Sequence, residues 1–172
     1  VNLGAYTLTM SGKGIFGNTN ALRLNNASSK PLLSNTTPVS SVSTSANNSG
    51  VDVNESSTIT ALAVGHTTPV SIAAGKTLSG AVTVTGGSIR LDKTGTLVST
   101  VSMSGGTLDA DETLTLSGAL SHTANITIDV AETKTLTYSG TAINVGANTL
   151  TLSGSGSFVS GGMTLNDAQS KL

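Results

Sequence analysis

VTVTGGSIRLDKTGT, residues Val82–Thr96, returns nineteen positions later as VSMSGGTLDADETLT, residues Val101–Thr115. Val82 falls on Val101, Val84 on Met103, the Gly86-Gly87 pair on Gly105-Gly106, and Ile89 on Leu108. Working outward, TIDVAET from Thr127 repeats TLDADET from Thr107 at a spacing of twenty. VDVNESSTIT from Val51 matches IDVAETKTLT from Ile128, and LGAYTLTMSGKGIF from Leu3 matches VGANTLTLSGSGSF from Val145. A shorter signature runs through these copies: TLTMSG from Thr7, TLTLSG from Thr113, TLTYSG from Thr135, TLTLSG from Thr149, and the degenerate TITALA from Thr58. Self-similarity at a nearly constant period marks an architecture in which each unit is one coil that buries its apolar face on its neighbours. The period is 19 to 20 residues, with one coil shortened near Ile143.

Inside each copy, apolar and small polar residues alternate, which is the period-two pattern of a half-buried strand. Gly-Gly, Asn and Gly-Ala steps fall between the strands, where corners require unusual backbone angles. No window carries a helical period, although MTLNDAQSKL at the end reads equally as a short helix or as a last strand and tail. The expected fold is therefore all-β, a parallel β-solenoid of roughly eight or nine coils. Three short strands and their corners fill one coil, and at ~4.8 Å per coil the rod would be close to 40 Å long. A sandwich of antiparallel hairpins is the runner-up, but it would not require neighbouring segments to match in register.

The whole chain, 1–172, reads as one domain. Residues 17–50 form irregular, loop-rich coils that contain Pro31 and Pro38; residues 51–158 form regular repeats; residues 159–172 form a terminal coil or tail. TTPVS at Thr36 recurs at Thr67, so some periodicity persists through the irregular part. Aromatic residues make up 2% of the chain, too few for a thick two-layer core but sufficient for a thin solenoid interior. A net charge of −1 gives no footprint for nucleic acid or for an anionic membrane, and no apolar run approaches the ~20 residues that span a bilayer. There is no cysteine, as suits a chain exported unfolded. Val1 opens no signal-peptide pattern, which leaves a mature, trimmed or excised chain.

The repeat from Ile143 to Gly154 (INVGANTLTLSG), together with its relatives over Val51–Phe158 and Asn2–Phe16, resembles the repeats of bacterial autotransporter passengers and filamentous-haemagglutinin-type adhesins. The resemblance implies a right-handed β-helix that is secreted to the bacterial surface and acts in adhesion or as a stalk. It implies no transferable functional residues. The partners expected are a host or neighbouring-cell glycan or protein, or further copies of the same solenoid stacked end to end. No cofactor is implied.

Chemistry-bearing residues are few. Asp92, Asp109 and Asp111 form a candidate calcium site, and the acidic cluster Asp109, Asp111 and Glu112 could bind calcium or act as a carboxylate pair in polysaccharide cleavage. The repeat alignment offers a plainer account. It stacks Asp109 over Arg90 and Glu112 over Lys93 on neighbouring coils, as exposed pairs that contribute ~0–1 kcal/mol each. It also sets Asp92 under Asp111, a like-charge contact that a cation would relieve. His66 and His122 are isolated and read as surface positions. Only Arg23 and Arg90 supply guanidinium groups, too few to line a polyanion groove. Ser is abundant, but no G-x-S-x-G elbow accompanies it. The Gly-rich GSGSFVSGG lacks the lysine and helix of a phosphate loop. Five N-x-S/T sequons, beginning at Asn26, Asn35, Asn47, Asn54 and Asn125, are expected by chance in so Ser- and Thr-rich a chain.

The T-x-T pairs Thr58/Thr60, Thr94/Thr96, Thr113/Thr115, Thr135/Thr137 and Thr149/Thr151 would form a flat threonine face if stacked in register. Thr7/Thr9 and Thr83/Thr85 repeat the spacing elsewhere. Such an array suits an ice-binding surface, while threonine also simply suits an exposed strand. Sequence alone thus favours a non-enzymatic structural or adhesive module, with an ice-binding protein and a polysaccharide-active enzyme as alternatives.

Overall fold

The computed structural model describes residues 6–11, 22–24, 30–34, 41–44, 46–47 and 50–165. Twenty short strands wind as a parallel β-solenoid, and no helix occurs among the described residues, so none is long and apolar enough to cross a membrane.

The first face is an eight-stranded parallel sheet. It stacks β1 (Thr7–Ser11), β3 (Lys30–Ser34), β5 (Val51–Val53), β7 (Thr68–Ile72), β9 (Ser88–Leu91), β12 (Thr107–Ala110), β15 (Ile126–Val130) and β18 (Leu150–Gly154) in that order. A second sheet supplies the other two faces. Its members are β2 (Leu22–Leu24), β4 (Val42–Thr44), β6 (Ser57–Val64), β8 (Thr77–Val84), β10 (Thr96–Leu97), β13 (Leu114–Leu116), β16 (Thr135–Tyr138) and β19 (Ser157–Ser160). The long β6 and β8 bend across the corner between the second and third faces. In the turns above them the same stretch is divided, so that β11 (Thr100–Met103) pairs with the second half of β8, and β14 (Leu120–His122) pairs with β11. The third face ends in a separate ladder of β17 (Ile143–Asn144) and β20 (Met163–Thr164).

The register is the one the repeats dictate. Val82 pairs with Val101, Val84 with Met103, Ile89 with Leu108, Thr96 with Thr115 and Thr107 with Thr127. Alternation then sends one set of side chains inward as unbroken columns. Ile89, Leu108 and Ile128 make one column, and Leu78, Leu97, Leu116 and Tyr138 make another; each of these residues is at most 2% exposed. Each buried aliphatic side chain contributes ~1.5–3 kcal/mol on leaving water, which stabilises every turn through the turn below it.

Six complete turns run without a break from Gly50 to Leu165, fewer than the eight or nine expected. Beneath them, β1 to β4 extend the same two sheets, although much of the 17–50 segment, including Thr36, lies outside the described residues. The coil near Ile143 is longer than its neighbours, not shorter. Along the inward column Val51, Val70, Leu91, Ala110, Val130 and Gly154 the spacings are 19, 21, 19, 20 and 24 residues. The short interval between TLT copies arises because Thr135 starts a strand of the second sheet whereas Thr149 leads into the first.

The Ser-Gly steps close corners by close approach of the backbone. A Cβ on Gly118 would lie 1.8 Å from the carbonyl oxygen of Ser99 in the turn below, so only glycine fits there.

Candidate functional site

The outer side of the first face carries most of the acidic residues. Outward positions on successive strands place Arg90 beneath Asp109 and Asp109 beneath Asp129, as in-register partners, with Ser153 above Asp129. Two residues along, Asp52 pairs with Ser71, and the backbone amide of Asp111 reaches the carbonyl of Leu91, next to Asp92. The face is thus a ladder of carboxylates with one guanidinium.

Several of these charges find partners that differ from the simplest stacking. Arg90 lies directly below Asp109, yet its Nε approaches Asp111 Oδ2 at 3.4 Å and makes no hydrogen bond. Strand side chains lean along the strand as well as outward, which carries the long arginine past its register partner. Glu112 does not pair with Lys93. Its Oε2 takes Lys134 Nζ from the turn above at 2.6 Å, where the turn Ala131–Lys134, with Thr133 at φ 63°, returns the chain. Lys76 and Glu55 make the equivalent corner pair at 2.7 Å lower down. Asp92 accepts the Ser71 hydroxyl at 2.5 Å, and Asp129 accepts the hydroxyl of Ser153. Asp92 and Asp111 therefore each have their own partner. Among the described residues, no group of three or more His, Cys, Asp or Glu side chains is arranged to hold a metal ion.

Asp109 stands apart electrostatically. Partial burial, reinforced by the charges of Asp111 and Asp129, raises its pKa to about 6, and the opposing pull of Arg90 is smaller. A carboxyl group in that range can exchange a proton near neutrality. Asp129, the residue stacked on it, was missed as a candidate, although the match of TIDVAET to TLDADET already aligned the two.

The threonine pairs divide between faces. Thr77, Thr96, Thr115 and Thr137 form one column on the second face, continued by Val159. The amide of Thr135 donates to Thr113 Oγ1 at 3.2 Å, which ties the first threonines of those two pairs together. Thr94 is exposed beside Gly95 at the start of the same face. Thr149 and Thr151 belong to the first face, where Thr151 tops a column of Ser88, Thr107 and Thr127. Thr58 sits opposite Ser79, with the hydroxyls 2.9 Å apart, and Thr60 occupies the bulge between Ile59 and Ala61. Thr96, Thr115 and Thr137 of three consecutive coils stack in register on the second face; Thr58 and Thr60 lie on β6 of the same sheet outside that column, and Thr149 and Thr151 lie at the first face.

The third face is flat and uncharged from β6 to β14: Ala63, Thr83, Ser102 and Ser121 stack in one outward column. Above β14 the ladder opens. β17 has no hydrogen-bonded partnership with β14, and a cleft of about 440 Å³ lies between them, bordered by Leu120, Ser121, His122, Thr141, Asn144 and Val145. His66 is exposed, and His122 is half-buried. It occupies the inward column above Met103, with Nδ1 3.0 Å from the carbonyl oxygen of Ala124. That contact assigns the proton of a neutral ring to Nδ1 and leaves Nε2 buried without a partner.

No family model matches the chain, and neither a curated protein nor a solved structure matches it.

Proposed function

We propose that this chain is a non-enzymatic structural or adhesive module of a secreted bacterial surface protein, a rigid β-solenoid spacer or fibre element. The observation that carries this reading is the parallel ladder of the first face, unbroken through six turns, whose register follows the sequence repeat. Such a ladder stiffens the chain along one axis, and its outer faces offer serine, threonine and aspartate for polar contacts with glycan or protein surfaces. The resemblance to autotransporter passengers and filamentous-haemagglutinin-type adhesins supports the same assignment and a location at the cell surface. Electron microscopy of the purified chain, followed by adhesion of chain-coated beads to bacterial and host cells, tests it. Rods that promote adhesion are expected; compact particles, or rods that leave adhesion at the level of uncoated beads, would overturn it.

One observation favours a second reading. The column Thr77, Thr96, Thr115 and Thr137 presents hydroxyls at the strand spacing of ~4.8 Å, a regular array suited to ordered water. Thermal hysteresis decides this reading: an ice-binding face depresses the freezing point, and a null result at high protein concentration removes it.

A further inference from the structure

The top and bottom of the rod carry closely similar sequences. LGAYTLTMSGKGIF, from Leu3, and VGANTLTLSGSGSF, from Val145, share nine of fourteen residues. After one residue of slippage the match continues: LRLNNASSK from Leu22 aligns with MTLNDAQSK from Met163, sharing five of nine. The two blocks are separated by 141 to 142 residues, a period far longer than one turn.

The fold places these equivalents on equivalent faces. Thr7–Ser11 is β1 and its counterpart, residues 149–153, lies in and just before β18; these are the two opposite edges of the eight-stranded sheet. Leu22–Leu24 is β2, aligned through β4 with the third-face half of β6, and its counterpart begins β20, which is also on the third face. The described strands of the last turn are therefore the sequence counterparts of β1 and β2, seven strands higher in the first sheet.

On β1 sits β3, with Thr7 opposite Lys30 and Ser11 opposite Ser34. Among the described residues nothing pairs with the upper edge of β18 or of β19, and that end exposes Leu152 (40%), Val159 (51%) and Leu165 (56%). An open strand edge flanked by apolar side chains is a template for another strand.

We propose that the edge formed by β18, β19 and β20 docks a second copy of this chain. That copy enters through its β3-bearing coil, so that the last turn of one copy takes the place of the first turn of the next. The contact is head to tail and does not close on itself, so it propagates as a filament with one continuous ladder. This rests on the structural-module reading and specifies its self-association.

Sedimentation over a concentration series and electron microscopy of the full chain test it. Open-ended oligomers are expected, with an axial repeat of about 34 Å, seven strand spacings. Leu152→Lys and, separately, Leu165→Lys alter exposed side chains on that edge, and each should weaken association by about tenfold or more while leaving single rods and the circular dichroism unchanged. Two exchange-independent variants guard against one of them misfolding. A chain that stays monomeric at every concentration, a closed dimer, or assembly untouched by both substitutions would overturn the docking edge. A repeat of about 38 Å, the length of all eight layers stacked whole, would overturn the turn exchange. Rods that fail to associate would leave the structural-module reading standing, whereas particles that are not rods would remove that reading itself.

Discussion

The phenol oxygen of Tyr138 accepts a hydrogen bond from the backbone amide of Leu120 at 3.0 Å and donates to the carbonyl of Thr141 at 2.6 Å. Leu120 opens β14, the strand above which the third-face ladder is interrupted, and Tyr138 ends the inward column of Leu78, Leu97 and Leu116. One buried side chain thus does what a neighbouring strand does elsewhere in the stack: it satisfies a backbone amide that has lost its ladder partner.

Tyr138→Phe keeps the ring and removes the hydroxyl. The buried amide of Leu120 is then left without an acceptor, which should cost ~1–3 kcal/mol. Thermal unfolding is the measurement, with a drop of about 2–4 °C per kcal/mol expected in a chain of this size. An unchanged midpoint would show that the amide is satisfied by other means.

Asp109 predicts a pH dependence of stability. Its pKa in the folded chain is about 6, above the unfolded value of 3.8, so folding favours the protonated form. The stabilisation is complete below pH 3.8 and is lost as pH rises through 6. The shift corresponds to ~3 kcal/mol at most, and solvent screening of a half-exposed carboxyl reduces the expected effect to about 1 kcal/mol. Asp109→Asn should therefore stabilise the chain at pH 7.5 and flatten its profile between pH 4 and 6. Denaturant titrations at both ends of that range check this, and a variant that is less stable at pH 7.5 would refute it.

Gly118 tests the close approach of turns. Alanine there would place its Cβ 1.8 Å from the Ser99 carbonyl oxygen, whereas alanine at Gly161 would meet nothing within 4 Å. Gly118→Ala should destabilise by ~1–3 kcal/mol or more, and Gly161→Ala should be nearly neutral. Equal effects at the two sites would contradict the packing described.

The corner pairs should matter little. Glu112 and Lys134 are 2.6 Å apart, but both side chains remain about a third exposed. A double-mutant cycle with Glu112→Gln and Lys134→Met is expected to give a coupling of ~0–1 kcal/mol. A coupling well above that would mean that the corner is drier than its exposure indicates.

The register of the stack was legible from the repeats because a parallel solenoid pairs each residue with its own counterpart one turn away. Val82 on Val101 and Thr107 on Thr127 are both sequence matches and backbone partners. The assignment of TLT copies to faces was not legible, since period-two alternation looks the same on all three sides. Thr137 and Thr151 share a motif and lie on different sheets. The long turn ending at Gly154 was equally hidden, because its additional residues fall among corner-forming glycine, alanine and asparagine. Charge partners depend on side-chain reach, so Arg90 leaning to Asp111 and Glu112 reaching up to Lys134 escaped a reading based on position alone. The inward position of His122 did have a signal. It stands nineteen residues after the inward-facing Met103, at the spacing of the repeat.

Columns of matching apolar side chains running from turn to turn also make length a counted quantity. A turn inserted or deleted as a whole leaves each remaining turn resting on a partner of the same shape, and it changes the reach of the rod by one step of ~4.8 Å. Duplication of a coil-sized stretch of the gene would therefore act as a ruler with fixed graduations, setting how far whatever lies beyond the rod is held from its base while leaving the chemistry of the three faces as it was.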